Sequence, residues 1–378
     1  MSRIIINTLN LRLGGAFQRS LSFIENLESI DEDKEVHVFC TQKYFDYLLL
    51  NESKLNFHFF KYESNNFKFW FKTQKHFRRL ERKIKPDLVF SFVGPAYIRP
   101  KTKHLVGFAL PQIVYYDNPF VKNFNFRNKF LFRIKSIISK IEADYYVVQT
   151  QDVSSRLMDV FKINKDKVFI VSNGIGKQFQ KFTPDENTIA SRFRSRTLIL
   201  ISGYRDNKNF EIIPETLKIL KNKNFKVQFV VTLEKADYKR LFQSYQELVM
   251  NVGKVSPKNI QKLYERSSAL FIPSFLECFS ASYCEAMHMS LPILASNYSF
   301  ATTICSRSAL YFNPYQPKKA AEQIIRLFTD YELYKELSGY SYLKKEDFPS
   351  SKEQTLQYTR IINSIINEIP SNTNHFSS

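Results

Sequence analysis

Residues 269–296, A-L-F-I-P-S-F-L-E-C-F-S-A-S-Y-C-E-A-M-H-M-S-L-P-I-L-A-S, decide how the rest of the chain is read. The first four, A-L-F-I, form an apolar run of buried-strand length, closed by a turn at Pro273-Ser274. A second such run covers 291–295, and residues 281–289 between the two predict one short helix. Glu277 and Glu285 stand with seven residues between them. At about 3.6 residues per turn, Glu285 falls one turn into that helix and Glu277 on the loop before it. The amides of Phe279, Ser280 and Ala281 then lie at the helix N-terminus, where backbone donors lack intrahelical partners and an anion is well placed. Strand, acidic loop, helix N-terminus, strand: this is the order of a nucleotide-phosphate site.

Outward from this stretch, strand and helix alternate. Strands are predicted near 3–7, 36–41, 55–60, 88–93, 105–109, 145–150 and 168–172, with a helix over 17–28 whose Phe17, Leu21, Ile24 and Leu27 share one face. Asp152 is placed to cap a helix running to Phe161. Periodicity lapses between 177 and 195. It resumes with a strand at 197–202, a helix at 210–223, a strand at 225–233, a helix at 235–250 and a strand at 251–255. Alternation of this kind predicts doubly wound parallel sheets. Leu356, Ile361, Ile362, Ile365 and Ile369 mark a last helix, and the polar stretch after Pro370 reads as disordered.

Only nine glycines occur, where ordinary usage near 7% would give about 26. A chain this poor in glycine is expected to keep it where the backbone demands it. Most of the survivors fall at or near predicted strand ends, where ligands of open α/β sheets bind.

Upstream of the opening stretch stand Val252-Gly253-Lys254-Val255-Ser256 and Leu263-Tyr264. Together these segments resemble the donor-binding signature of family-4 retaining glycosyltransferases of the GT-B fold, in which two glutamates flank a Gly-Phe-Gly-type loop. The resemblance implies that Glu277 contacts the donor sugar and Glu285 the ribose. It places Lys208, in Ser202-Gly203-Tyr204-Arg205-Asp206-Asn207-Lys208, on a lysine that binds the donor diphosphate. Gly203 occupies the usual arginine position, which makes Arg205 the candidate substitute. Gly253 and Lys254 fall in the same donor segment. Asn10-Leu11-Arg12-Leu13-Gly14-Gly15 is similar to the family's N-terminal glycine loop on the acceptor side, and Ser172-Asn173-Gly174 to its turn ending the first domain. Cys278, Ser280 and Ser290 stand where glycine is usual, so loop backbones there are expected to carry a cost if they keep glycine's conformation.

The implied architecture is α/β GT-B: two doubly wound, Rossmann-like domains with a cleft between them. Residues 1–176 form the acceptor-side domain, 177–195 a linker, 196–350 the nucleotide-sugar domain, 351–369 a helix crossing back, and 370–378 a tail. The implied activity is metal-independent, retaining transfer of a sugar from a nucleotide diphosphate sugar to a carbohydrate or lipid-linked hydroxyl. No cofactor beyond the donor is expected, and the setting is surface polysaccharide or glycolipid assembly. A non-catalytic subunit of the same fold and a sugar-nucleotide epimerase are the alternatives.

Charge adds a partner. The chain carries a net +19, and a balance this basic favours polyanions. Residues 61–85 hold nine Lys/Arg against two Glu, interleaved with Phe67, Phe69, Trp70 and Phe71. Residues 122–140 hold six Lys/Arg and no acid, beside Phe124, Phe126, Phe130 and Phe132. Basic and aromatic residues on one helix suit an anionic membrane surface. No nucleic-acid-binding signature accompanies them. The four cysteines lack metal or redox spacing, and no apolar run is long enough to span a bilayer. The expected location is therefore cytoplasmic, peripheral on the inner face of the cell membrane. Asp31-Glu32-Asp33 reads as a solvated turn rather than a metal site. His104 opens a strand with no partner evident.

Overall fold

The computed structural model describes residues 2–11, 14–30, 34–48, 54–61, 67–176, 179 and 182–367. Arg12, Leu13, the Asp31-Glu32-Asp33 cluster, the side chains of Phe67, Phe69 and Trp70, Ile369 and the 370–378 tail lie outside what is described. The chain divides into two compact units. One takes the chain up to Gly174 together with the stretch from Pro349; the other is Ile175–Phe348.

The first unit carries strands β1 (Ser2–Asn7), β2 (Lys34–Cys40), β3 (Asn56–Phe59), β4 (Leu88–Ser91), β5 (Lys103–Gly107), β6 (Tyr145–Val148) and β7 (Val168–Ile170), in the order β3-β2-β1-β4-β5-β6-β7. The second carries β8 (Thr197–Leu200), β9 (Gln228–Val231), β10 (Val249–Asn251), β11 (Ala269–Ile272), β12 (Ile293–Ser296) and β13 (Ala309–Phe312), in the order β10-β9-β8-β11-β12-β13. Every pairing is parallel, with Ile4 opposite Val36 and Leu88, and Leu270 opposite Ile199 and Ile293. The central strands are apolar along their length because helices cover both faces; β4 and β11 are buried throughout.

In each unit the winding reverses once, between β1 and β4 and between β8 and β11. Crevices for ligands open beyond the carboxyl ends of strands at such points. Three retained glycines follow the strands at these points, Gly14 after β1, Gly94 after β4 and Gly203 after β8; Gly174 and Gly253 follow the edge strands β7 and β10, and Gly107 ends β5. At Gly107 the reason is close approach. A Cβ would sit 2.1 Å from Phe92 O, and Gly94 N donates to Gly107 O at 2.7 Å.

Three local expectations change. The helix Gln151–Phe161 is capped by Thr150, whose hydroxyl accepts from Val153 N at 3.2 Å; Asp152 lies inside it, accepting from Tyr115 Oη and pairing with Arg156. β10 ends at Asn251 rather than beginning there. The Asn251 side chain exchanges hydrogen bonds with Leu233 N and O at 2.9 and 3.0 Å, replacing the ladder, and Gly253 turns away at φ +68°. Within the stretch read as linker, Asp185 caps the helix Glu186–Ser195. Its buried Arg192 donates to Met289 O at 2.7 Å, which binds this helix to the second unit.

The last helix, Ser351–Ile366, starts with a capping box between Ser350 and Glu353. It sinks Tyr358, Ile361, Ile362 and Ile365 into the core formed by β1, β2, β4 and the helix Gly15–Ile30.

Candidate functional site

The second unit's reversal point is built from two loops stitched together. After β8 the chain turns through Asp206–Lys208, a single 3-10 turn, and Asn209 follows in the left-handed region at φ +54°. Asparagine tolerates that conformation better than most residues. Its buried Nδ2 donates to Pro273 O at 3.1 Å and to Pro314 O at 2.8 Å, so one side chain ties together the loops after β8, β11 and β13. Asn207 completes the seam. Its Nδ2 donates to Leu276 O at 2.8 Å, and its carbonyl accepts from Phe275 N at 2.8 Å.

Between these stitches the Lys208 ammonium donates to Glu277 Oε1, and both side chains are largely buried. Ser274 Oγ, fully enclosed, donates to the same oxygen at 3.0 Å. A buried ion pair repays its desolvation only with good geometry, and losing one partner leaves an uncompensated charge. The residues after β8 and β11 thus hold a fixed cation and a fixed anion side by side.

Four residues beyond Glu277 the helix Ala281–His288 begins. Ser280 is its N-cap, extended at φ −110°, and its hydroxyl makes no capping bond, so the first-turn amides are not taken up by the cap. Partial positive charge collects at such an end. Glu285, the fifth residue of this helix, accepts from the buried Tyr264 Oη at 2.7 Å. Burial pushes the Glu285 carboxyl above the ordinary carboxylate range, and the Tyr264 hydrogen bond opposes that rise. The glycine departures resolve unequally. Cys278 and Ser280 avoid positive φ, whereas buried Ser290 adopts φ +54°, the conformation glycine takes most cheaply.

The remaining candidates are placed more openly. Arg205 is exposed and forms no ion pair among the described residues. Lys254 pairs with Glu234 at 2.7 Å on the surface. Gly253 N donates to Asn251 Oδ1 at 3.2 Å, with open space where a side chain would stand. Gly14, at φ +128°, and Gly15, which opens the helix Gly15–Ile30, belong to the first unit and also border open space. Phe279, Ser280 and Ala281 sit together at the helix start, as their spacing implies. Sequence reasoning missed Asn207, Asn209 and Ser274. Their signal is faint, a pair of asparagines flanking Lys208 and one serine behind a strand-end proline.

His104 does have partners. Its Nε2 lies 2.8 Å from Ser91 Oγ and its Nδ1 2.5 Å from Glu142 O, deep in the first unit, where burial lowers its pKa to about 4. Among the described residues no group of three or more His, Cys, Asp or Glu is arranged to hold a metal ion.

Residues 185–344 match the model of the family described as Glycosyl transferases group 1. The chain is 19% identical over 246 residues to the O-antigen chain mannosyltransferase RfbU of Salmonella typhimurium. That alignment takes in 63% of this chain and 64% of RfbU, so the chain spans just under two thirds of the length of this curated relative. Among solved structures, a glycosyltransferase from Rickettsia africae superimposes with a TM-score of 0.71 at 16% identity, over 97% of this chain and 99% of that one. HepE of Anabaena, in complex with UDP-glucose, gives 0.71 at 14% identity, over 96% and 100%. The matched stretch lies within the unit that carries the Lys208–Glu277 pair, so this unit is similar to glycosyl transferases group 1, and the chain has the two-sheet α/β GT-B fold of these solved glycosyltransferases.

Proposed function

We propose that the chain transfers a sugar from a nucleotide diphosphate sugar, held on the second unit, to a hydroxyl acceptor with retention of anomeric configuration. The observation that carries this reading is the buried Lys208–Glu277 pair at the reversal point, beside the uncapped start of the helix Ala281–His288. A diphosphate needs fixed positive charge, supplied by Lys208 and the amides of Phe279, Ser280 and Ala281. Glu277, freed from Lys208 as the phosphate engages it, takes hydroxyls of the donor sugar, and Glu285 takes those of the ribose. Exposed Arg205 and Lys254, with the unobstructed backbone of Gly253, complete the nucleotide end. Gly14 and Gly15 serve the acceptor side.

In the reaction the bond from the anomeric carbon to the phosphate oxygen breaks and the acceptor oxygen bonds to that carbon. The leaving phosphate takes the acceptor proton. Negative charge that the ground state did not carry then appears on the phosphate. Lys208 and the helix amides meet that charge, so the reading requires no metal. The UDP-glucose bound by HepE supports a nucleotide-sugar donor, and the O-antigen role in the name of RfbU supports a surface-polysaccharide or glycolipid acceptor.

The test is a panel of nucleotide diphosphate sugars scored by thermal shift, with and without EDTA. A donor at 100 times its Kd should add about 2.7 kcal/mol of stability, and EDTA should leave that gain and the transfer rate unchanged. If no sugar nucleotide shifts the transition, or if only a divalent ion restores activity, the reading fails.

A further inference from the structure

The helix Phe126–Glu142 of the first unit wears its apolar side outward. Phe126, Phe130, Ile134, Ile137 and Ile141 recur at intervals of three and four residues, which places them on one stripe. Their exposures run from 38% for Ile134 to 85% for Phe126. The opposite side is the one that packs. Ser139 and Glu142 are buried there, with Ser139 O accepting from Tyr146 Oη at 2.8 Å and the Glu142 carboxylate accepting from Ala96 N and Tyr97 N. Most helices of folded domains turn their apolar stripe to the core; this one does the reverse over about 22 Å of its length.

Charge decides what covers the stripe. Arg127, Lys129, Arg133, Lys135 and Lys140 lie on the same helix, and its one acid, Glu142, is buried. A second copy docking stripe to stripe would bring two such basic rows together and be repelled. An anionic bilayer takes both features at once: the stripe enters the acyl boundary while the long basic side chains reach the headgroups. No described helix is long and apolar enough to cross a membrane, so contact at the surface is the mode this helix can offer. We propose that the outward stripe of the helix Phe126–Glu142 is a docking face for an anionic lipid bilayer. The inference goes beyond the transfer reaction and does not depend on it, because it uses no residue assigned to the donor site.

The test is flotation of the full chain with vesicles of phosphatidylcholine mixed with phosphatidylglycerol, and with vesicles of phosphatidylcholine alone. Binding should require phosphatidylglycerol and weaken as salt shortens the screening length. Replacing Lys129, Arg133 and Lys140 by glutamate should lower partitioning by at least about fivefold per residue. Phe130→Ser with Ile137→Ser should lower it about tenfold or more, with the salt dependence kept. These side chains are exposed, so the variants should fold and retain the donor-induced thermal shift, which separates failure of this inference from failure of the donor assignment. Equal binding to both vesicle types overturns the proposal. So does a concentration-dependent dimer that the serine pair abolishes while vesicle binding stands unchanged.

Discussion

The two sheets share a winding order and reverse at equivalent strands, yet the two reversal points are furnished differently. In the second unit the loops after β8 and β11 are joined by a charged pair, Lys208 and Glu277. In the first, the loops after β1 and β4 are joined by a neutral amide. Asn10 Nδ2 donates to Pro95 O at 2.9 Å and also to Val93 O. Beneath it Asn7 Nδ2 donates to Ser91 Oγ at 3.0 Å, and Ser91 in turn meets His104. Topology places the crevice in both; the residues that seam it decide whether it can meet a charge. Under the proposed function, the diphosphate donor is assigned to the charged seam, and an uncharged hydroxyl acceptor makes no such demand of the neutral one.

The sharpest way to break that contrast is to empty the charged seam. Lys208→Ala should lower turnover by about 10²–10³, the usual loss for a preorganised group aimed at developing charge, with a smaller loss of donor affinity. Lys208→Arg should recover only part, since a planar fork does not replace a compact ammonium. Asn10→Ala should leave donor affinity within about threefold, because a neutral amide contributes no charge to the diphosphate. Steady-state kinetics and donor titration on the three proteins measure this. A silent Lys208→Ala would erase the difference between the seams.

A second, smaller effect concerns Glu285. Its carboxyl titrates above the ordinary range because it is buried, and Tyr264 holds it down by donating to the ionised form. If ionised Glu285 receives the ribose hydroxyls, donor affinity should rise with pH as this group deprotonates. Tyr264→Phe removes the opposing hydrogen bond, so the acidic limb of that profile should move to higher pH. Calorimetric titration of donor across pH reads the displacement; a limb that stays in place removes Glu285 from donor binding.

The smallest effect tests the neutral seam. Because burial depresses His104 to about 4, the folded unit keeps it uncharged while the unfolded chain protonates it near 6.5. The contribution is present above pH 6.5 and is lost as pH falls through that value toward 4, at up to about 1.4 kcal/mol per pH unit. Glu142 acts in the opposite sense. Its pKa is raised to about 8, so its contribution is present at acid pH and lost as pH rises from the ordinary carboxylate range toward 8. In urea unfolding across pH, compared with the unaltered chain, His104→Gln should lose a rise in stability with pH between about 4 and 6.5, and Glu142→Gln should lose an opposing fall that ends near 8. An unchanged profile in both variants would mean neither group is sequestered as described.

What the sequence made legible follows from the kind of signal each element carries. β11 reads as Ala269–Ile272 without adjustment, because an apolar tetrad closed by Pro273 admits one boundary. β10 is displaced because its end is enforced by a side chain, Asn251, that imitates backbone pairing; periodicity cannot register such a substitution. The strand Ala309–Phe312 and the helix Tyr331–Lys344 go unread, being a tetrad and a weakly amphipathic segment with little to set them apart locally. At the site, the pattern of two glutamates locates Glu277 and Glu285, but the pairing of Glu277 with Lys208 joins residues 69 positions apart. Nothing local announces it. The outward face of the helix Phe126–Glu142 is likewise hidden, because a stripe looks the same on paper whichever way it points.

Asn209 shows how narrowly a position can be specified. Its backbone at φ +54° excludes β-branched residues, and glycine, which would fit the backbone, offers no donor to the carbonyls of Pro273 and Pro314. Aspartate would fit in size but set a carboxylate against those two carbonyl oxygens. Asparagine alone combines the left-handed backbone with a short amide bearing two hydrogens. The identity of this residue is therefore set by stereochemistry at the point where three strand ends meet, and homologues that keep this junction have little room to vary it.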